Sequence, residues 1–413
     1  MQLDCLHRLL AHAVATVPFY AERGAYGEVA SATGLTVEAW SGLPVLSRAN
    51  VQEAGRALRS QAVPGDHGPL FETVTSGSTG RPVHALGTLV TGALWQAITL
   101  RDLVWHPRDI TGKLAAIRSD DSDGIPPEGL DVSGWAEAID LVYDSGPCAL
   151  FSVRQDVALQ ADWLVGHQPD YLLSYPSNLR ALARYFQAKK MKLTTLRGVT
   201  SYGEALAPEV RDECRSAWGT EIVDMYSSQE IGYIALQCPE SESYHVQSEA
   251  VYVEVLDDDG RRCQTGEVGR VVVSALHNFA MPLLRYELGD YAEVGGPCPC
   301  GRGLPVLTRV LGRQRNMLLS PDGTKTWPTF PAQSWARIGP IRQLQLAQLS
   351  LDHIEARIVG PRPLTDDEMA EFTAVMHLRF AHPFRVSFDY RDQIDRTGAG
   401  KFEDFVSLVG GGG

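Results

Sequence analysis

Phe71-Glu72-Thr73-Val74-Thr75-Ser76-Gly77-Ser78-Thr79-Gly80-Arg81-Pro82 decides the reading of this 413-residue chain. Its first four residues have the character of a strand. The glycines then let the backbone curl until successive N–H groups face one point, and the hydroxyls add donors. A strand running into such a loop suits a bound polyphosphate. The same composition also suits an ordinary Ser/Gly-rich turn, and the stretch alone favours neither reading. It is not a Walker A loop, because no Gly-Lys-Ser/Thr follows, and a Rossmann fingerprint is absent.

Helix and strand signals alternate around the loop. Helical spacing over Val157–Val165, Asn178–Gln187 and Pro208–Trp218 is interleaved with the short apolar runs Tyr171–Leu173, Leu196–Thr200 and Glu221–Met225. That alternation predicts an α/β fold with a mainly parallel sheet. After Gln247 the texture changes: Val251–Val255 alternates, Asp258-Asp259-Gly260 supplies a turn, and Arg270–Ser274 resumes the pattern. These residues predict a small antiparallel β portion. Beyond Gly312, the chain carries the signals of a small α+β unit, including a helix over Asp366–Leu378. Leu3, Leu6, Leu9, Leu10 and Ala13 recur at helical spacing, so the chain opens on an amphipathic helix.

Thirty-seven basic against fifty acidic residues leave a formal net charge of −13, which argues against a nucleic-acid binder. No apolar run is long enough to span a bilayer, and the first residues lack the order of a secretory signal. Seven cysteines are odd in number and too sparse for a disulfide scaffold, so a cytoplasmic setting is expected. The Gly410–Gly413 run is assigned no function.

Further along the chain stand Ser201-Tyr202-Gly203-Glu204-Ala205-Leu206, Asp224-Met225-Tyr226-Ser227-Ser228-Gln229-Glu230-Ile231-Gly232, Met281 to Asp290, Gly312-Arg313-Gln314-Arg315-Asn316 and Arg396-Thr397-Gly398-Ala399-Gly400-Lys401. In this order, with the loop at Thr75, they resemble the signature segments of the adenylate-forming superfamily. Val17-Pro18-Phe19-Tyr20, Leu43-Pro44-Val45-Leu46-Ser47 and the missing lysine after the loop are most similar to the phenylacetate–CoA ligase branch.

The resemblance implies ATP with Mg²⁺. Thr75, Ser76, Gly77, Ser78, Thr79 and Gly80 would hold the phosphates. Gly203, Glu204, Tyr226 and Ser227 would meet the adenine side, and Asp290 and Arg313 the ribose or a phosphate. Glu230 would bind Mg²⁺ and Lys401 would be the catalytic lysine. It also implies two domains, 1–315 for ATP and acid and 316–413 as a mobile lid, with Asn316 near the hinge. Ser227, Gln229, Glu287, Leu288, Arg315 and Asn316 depart from the family pattern.

Cys238, His245, Cys298 and Cys300 could form a closed tetrahedral Zn²⁺ site, although the Cys-x-Cys step is tight and reduced cysteines in turns are the plainer reading. Some members of the branch carry zinc at such positions. Cys5, Cys148, Cys214 and Cys263 show no pattern.

The expected activity is AMP-forming activation of a carboxylic acid, aromatic by analogy, followed by transfer to the thiol of CoA. Residues Tyr175–Ser177 and Tyr202–Gly203 would wall the acid pocket. A second reading passes the acyl group to a carrier-protein thiol, an amine or a saccharide hydroxyl. A third is a degenerate, non-enzymatic scaffold, against which Glu230, Asp290 and Lys401 together argue. A homodimer is one assembly the reading allows.

Overall fold

A computed structural model describes residues 1–75, 82–119, 124–328, 330, 332–335, 337–394 and 402–409, with only the backbone of 332 and 333. Ser76, Gly77, Ser78, Thr79, Gly80 and Lys401 therefore lie outside the described residues.

The strand read at Phe71–Val74 is β1 (Leu70–Val74), which pairs antiparallel with β2 (His84–Thr88). The glycine loop is the turn of this hairpin. Thr75 closes its neck twice: its N–H donates to the Val83 carbonyl at 2.9 Å, and its hydroxyl accepts from the Val83 N–H at 2.9 Å. β2 then runs into the helix Leu89–Trp105, capped by Thr88.

The main sheet takes β3 (Leu114–Arg118), β4 (Leu130–Val132), β5 (Cys148–Ser152), β6 (Tyr171–Ser174), β7 (Gly198–Tyr202), β8 (Ile222–Ser228) and β9 (Gly232–Gln237). It continues through β10 (Tyr244–Val246), β11 (Val251–Leu256), β12 (Val268–Ala275), β13 (Tyr286–Val294) and β14 (Val306–Arg313). Among the described residues the order is β11-β12-β13-β14-β10-β9-β8-β7-β6-β3-β5-β4. The strands β5, β3, β6, β7 and β8 run parallel, joined by the helices Val157–His167, Pro176–Lys189 and Pro208–Trp218. From β8 onward the pairing is antiparallel, so the expected antiparallel portion extends the same sheet.

β15 (Leu318–Leu319) and β16 (Lys325–Thr326) make a short hairpin. β17 (Gln343–Ser350), β18 (His353–Val359), β19 (Arg385–Tyr390) and β20 (Phe405–Ser407) form a separate sheet in the order β19-β18-β17-β20. The helix Asp366–Phe380, opened by a capping box from Thr365 and Glu368, buries Phe372 and Met376 with this sheet's apolar residues. Here, too, the helix expected from Asp366 is present, extended by two residues.

The opening helix, Gln2–Thr16, buries Leu6, Leu9, Leu10 and Ala13 in one core with residues of β11 to β13. Its stripe follows the 3.6-residue period that the sequence carries. A second core lies between β3, β6, β7 and their connecting helices. The candidate site forms where the parallel strands end, and the cores reach it through Tyr226 and Tyr286 on one side and Tyr175 on the other.

Candidate nucleotide and metal sites

Three motif segments leave the carboxyl ends of adjacent parallel strands: Tyr175 after β6, Gly203 after β7, and Glu230 after β8. Ligands of open α/β sheets gather at that edge, because the backbone turns away there and leaves a crevice. Gly203 has φ of 77°, a conformation open to glycine at little cost. The turn brings Glu204 back onto the start of the preceding helix, Pro176–Lys189. Its carboxylate accepts from the Ser177 N–H at 2.9 Å and from the Ser177 hydroxyl at 3.0 Å. Tyr175 and Tyr202 stack with ring centroids 4.8 Å apart.

Antiparallel pairing supplies the opposite wall. Asp290 and Arg313 are cross-strand partners on β13 and β14, and Arg313 Nε lies 3.7 Å from Asp290 Oδ1. Tyr226, on β8, donates its hydroxyl to Asp290 Oδ2 at 2.9 Å. Burial, and then the Asp290 carboxylate, hold the Tyr226 phenol well above its ordinary pKa, so it remains a donor. Gly312 has φ of 99°, and a Cβ there would stand 3.2 Å from the Ala205 Cβ. That close approach brings the end of β14 against the Gly203–Ala205 segment.

Glu230 is buried, with its carboxylate reached from two distant segments. The Tyr286 hydroxyl donates to Glu230 Oε1 at 3.2 Å, and Arg48 Nη1 lies 3.6 Å from the same oxygen. Arg48 also donates from Nη2 to the Thr75 hydroxyl at 2.9 Å. Thr75, Glu230, Tyr226, Asp290 and Arg313 are therefore linked in two short chains at one edge of the sheet. Ser227 lies between Tyr226 and Glu230 at a register shift of β8 on β9.

Sequence reasoning missed Arg48 and Tyr286. A signal for Arg48 existed: Ser47 and Asn50 form the capping box of the helix Arg48–Ala54, which leaves a cation at the positive end of a helix. Tyr286 has no comparable local signal, because only the sheet pairing carries it to Glu230.

The hinge departures also find partners. Arg315 Nη2 is 2.5 Å from Glu403 Oε1, and the Asn316 amide donates to the Phe405 carbonyl at 2.7 Å. Both contacts hold the strand that follows Lys401 in sequence.

Cys238, His245, Cys298 and Cys300 come together from the β9–β10 turn, β10 and the β13–β14 turn. Their ligand atoms all lie within 4.8 Å of one another. Cys238 and Cys298 sulfurs are 3.8 Å apart, and Cys300 Sγ is 3.2 Å from His245 Nε2. Tetrahedral coordination with ~2.3 Å metal–sulfur bonds requires sulfurs about 3.8 Å apart. The donor set and its spacing therefore fit zinc. Burial lowers the His245 pKa and favours the neutral imidazole. The backbone N–H of Arg302, ahead of its side chain, brings the Cys300 thiol down to about 7.

Comparison with known proteins shows the family and the fold. Residues 6–281 match the model of the AMP-binding enzyme family, and the chain belongs to that family. Phenylacetate-coenzyme A ligase from Thermus thermophilus is 26% identical over 350 residues, covering 80% of this chain and 73% of that protein. Human mitochondrial acyl-coenzyme A synthetase ACSM5 is 24% identical over 50% of this chain, but the match spans only 34% of that longer protein. Among solved structures, 2-hydroxyisobutyryl-CoA ligase in the postadenylation state with 2-HIB-AMP superposes with a TM-score of 0.71 at 18% identity. It covers 99% of this chain and 89% of its own. The same ligase with 2-HIB-AMP and CoA in the thioesterification state gives 0.60, covering 98% and 88%.

Proposed function

We propose that this protein is an ATP-dependent, AMP-forming ligase that activates a carboxylic acid, aromatic in class, and transfers the acyl group to the thiol of CoA. The observation that carries the reading is the convergence of Thr75, Glu230, Tyr226, Asp290 and Arg313 at the sheet edge, from segments up to 238 positions apart in sequence order. In the first step an acid oxygen attacks the α-phosphorus of ATP, the bond to the bridging oxygen breaks, and pyrophosphate departs with the electron pair. In the second, the thiol sulfur attacks the acyl carbon and AMP leaves, the thiol proton passing to solvent.

In this reading Asp290 accepts from the ribose hydroxyls, held by the Tyr226 hydroxyl and facing Arg313. Thr75 fixes the neck of the loop whose residues Ser76 to Gly80 surround the phosphates. Glu230 would hold Mg²⁺, which screens phosphate charge when bound. Lys401 is assigned to the α-phosphate and acyl oxygens, where an ammonium offsets the charge that develops. Residues 1–315 and 316–413 are read as two domains, with Asn316 as the pivot. Cys238, His245, Cys298 and Cys300 would hold a structural Zn²⁺. The seven free cysteines suit a reducing cytoplasm.

Pyrophosphate exchange with a panel of aromatic and aliphatic acids tests the reading. Exchange with at least one aromatic acid, followed by a CoA thioester, is expected. No exchange with any acid and no ATP binding would sink it. Adenylate formation without thioester would favour the second reading, transfer to another acceptor, which the departures at Gln229, Glu287 and Leu288 keep in play.

A further inference from the structure

We infer that Arg48 is a phosphate-binding residue that contacts the β- and γ-phosphates of ATP and the departing pyrophosphate, an inference that rests on the nucleotide reading above. The loop at Thr75 is followed by no lysine through the start of the next helix. A polyphosphate carrying three or more negative charges still needs fixed cations near it. Arg48 is delivered to the loop by tertiary structure. Leu46 bridges to Tyr286 as a short parallel pair: its N–H donates to the Arg285 carbonyl at 2.9 Å, and its carbonyl accepts from the Glu287 N–H at 2.9 Å. The Ser47 cap then starts a helix whose first residue is Arg48.

The guanidinium is incompletely satisfied where it stands. One nitrogen donates to the Thr75 hydroxyl at 2.9 Å, another lies 3.6 Å from Glu230, and the Tyr286 hydroxyl is a further polar neighbour. Its Nε is enclosed with no hydrogen-bond partner among the described residues. An enclosed donor without an acceptor is costly, and a phosphate oxygen beside it would relieve that cost. The helix start adds an unfavourable partial positive charge, against which Glu230 stands as a counter-charge. An incoming phosphate supplies the missing acceptors and a second counter-charge, and the planar fork matches phosphate geometry. When the bond to the α-phosphorus breaks, negative charge builds on the leaving oxygen, within the field of this cation.

Calorimetric titrations with Mg-ATP, inorganic pyrophosphate and AMP, on wild type, Arg48→Gln and Arg48→Lys, test the assignment. Arg48→Gln should weaken ATP and pyrophosphate about 10- to 100-fold, the range of a charged hydrogen bond, with AMP changed less than about 2-fold. Arg48→Lys should fall between, keeping the charge while losing the fork. Should Arg48→Gln fail to fold, Arg48→Lys must still weaken pyrophosphate selectively. Equal affinities in variant and wild type would overturn the role of Arg48 and leave the nucleotide reading standing. Equal loss for all three ligands would assign Arg48 to holding the loop neck instead. A wild type that binds neither ATP nor pyrophosphate would overturn both readings.

Discussion

Asp224 is buried on β8, the strand that carries Tyr226, and meets Tyr244 of β10. Its carboxylate accepts from the Ser201 hydroxyl at 2.5 Å and the Tyr244 hydroxyl at 2.6 Å. Burial nevertheless raises its pKa to about 6 from an ordinary 3.8, the two hydroxyls only partly opposing it. Between pH 4 and 6 the folded chain therefore binds a proton that the unfolded chain has released. This group's contribution falls as pH rises through that window and is most favourable below it. The change amounts to about 3 kcal/mol at most. Asp224→Asn should flatten the stability–pH curve between pH 4 and 7, measured by urea unfolding against wild type. An unchanged slope would show that the carboxylate is already charged at pH 4. The residue was quoted in the sequence only as the start of a motif, because its burial depends on strands from elsewhere in the chain.

At the scale of elements, the Cys/His cluster joins two turns that backbone pairing alone leaves far apart in sequence. β10 is three residues long and pairs with both β9 and β14, so it offers few hydrogen bonds of its own. A metal bound to Cys238, His245, Cys298 and Cys300 would clamp it between its neighbours. The expected stabilisation is like that of a cross-link closing a long loop, about 2–5 kcal/mol. Freshly purified protein should carry one zinc per chain by elemental analysis, and a strong chelator should lower its melting temperature. Protein that contains no zinc, and melts identically with chelator, would leave these residues as reduced cysteines in turns. Cysteine spacing made the cluster legible in the sequence. The ligand distances, which favour zinc, required the strand order.

At the scale of the whole molecule, the terminal sheet meets the large one largely through polar contacts. Asp404 pairs with Arg180, Lys325 is 2.6 Å from Asp258, and the Trp327 indole donates to the Arg313 carbonyl at 3.2 Å. Arg180 also lies 3.7 Å from Glu213, which Arg184 contacts at 2.8 Å. Arg315 and Arg180 hold the neighbouring residues Glu403 and Asp404, just after Lys401 in sequence. Polar junctions of this kind separate at little cost, as the proposed movement of residues 316–413 requires. Asp404→Asn should change stability by less than about 1 kcal/mol, since Asp404 is half exposed. It should slow pyrophosphate exchange about 3- to 10-fold, roughly 0.7–1.4 kcal/mol, while sparing thiol attack on supplied acyl-adenylate. Equal slowing of both half-reactions would instead assign the pair a general structural role.

The strands and helices around the site were legible because their signals are local. Apolar runs, helical spacing and the Ser/Gly-rich loop depend on neighbours a few residues away, and the order of five motifs carried the family. Convergence was not local. Thr75 and Glu230 meet through Arg48, Glu230 meets Tyr286, and Tyr226 meets Asp290 only because antiparallel strands fold back onto the parallel ones. The amino-acid sequence by itself determined which segments could hold a nucleotide. Tertiary structure decided which of their side chains meet, since charge and hydrogen-bond partners are set by distance in space.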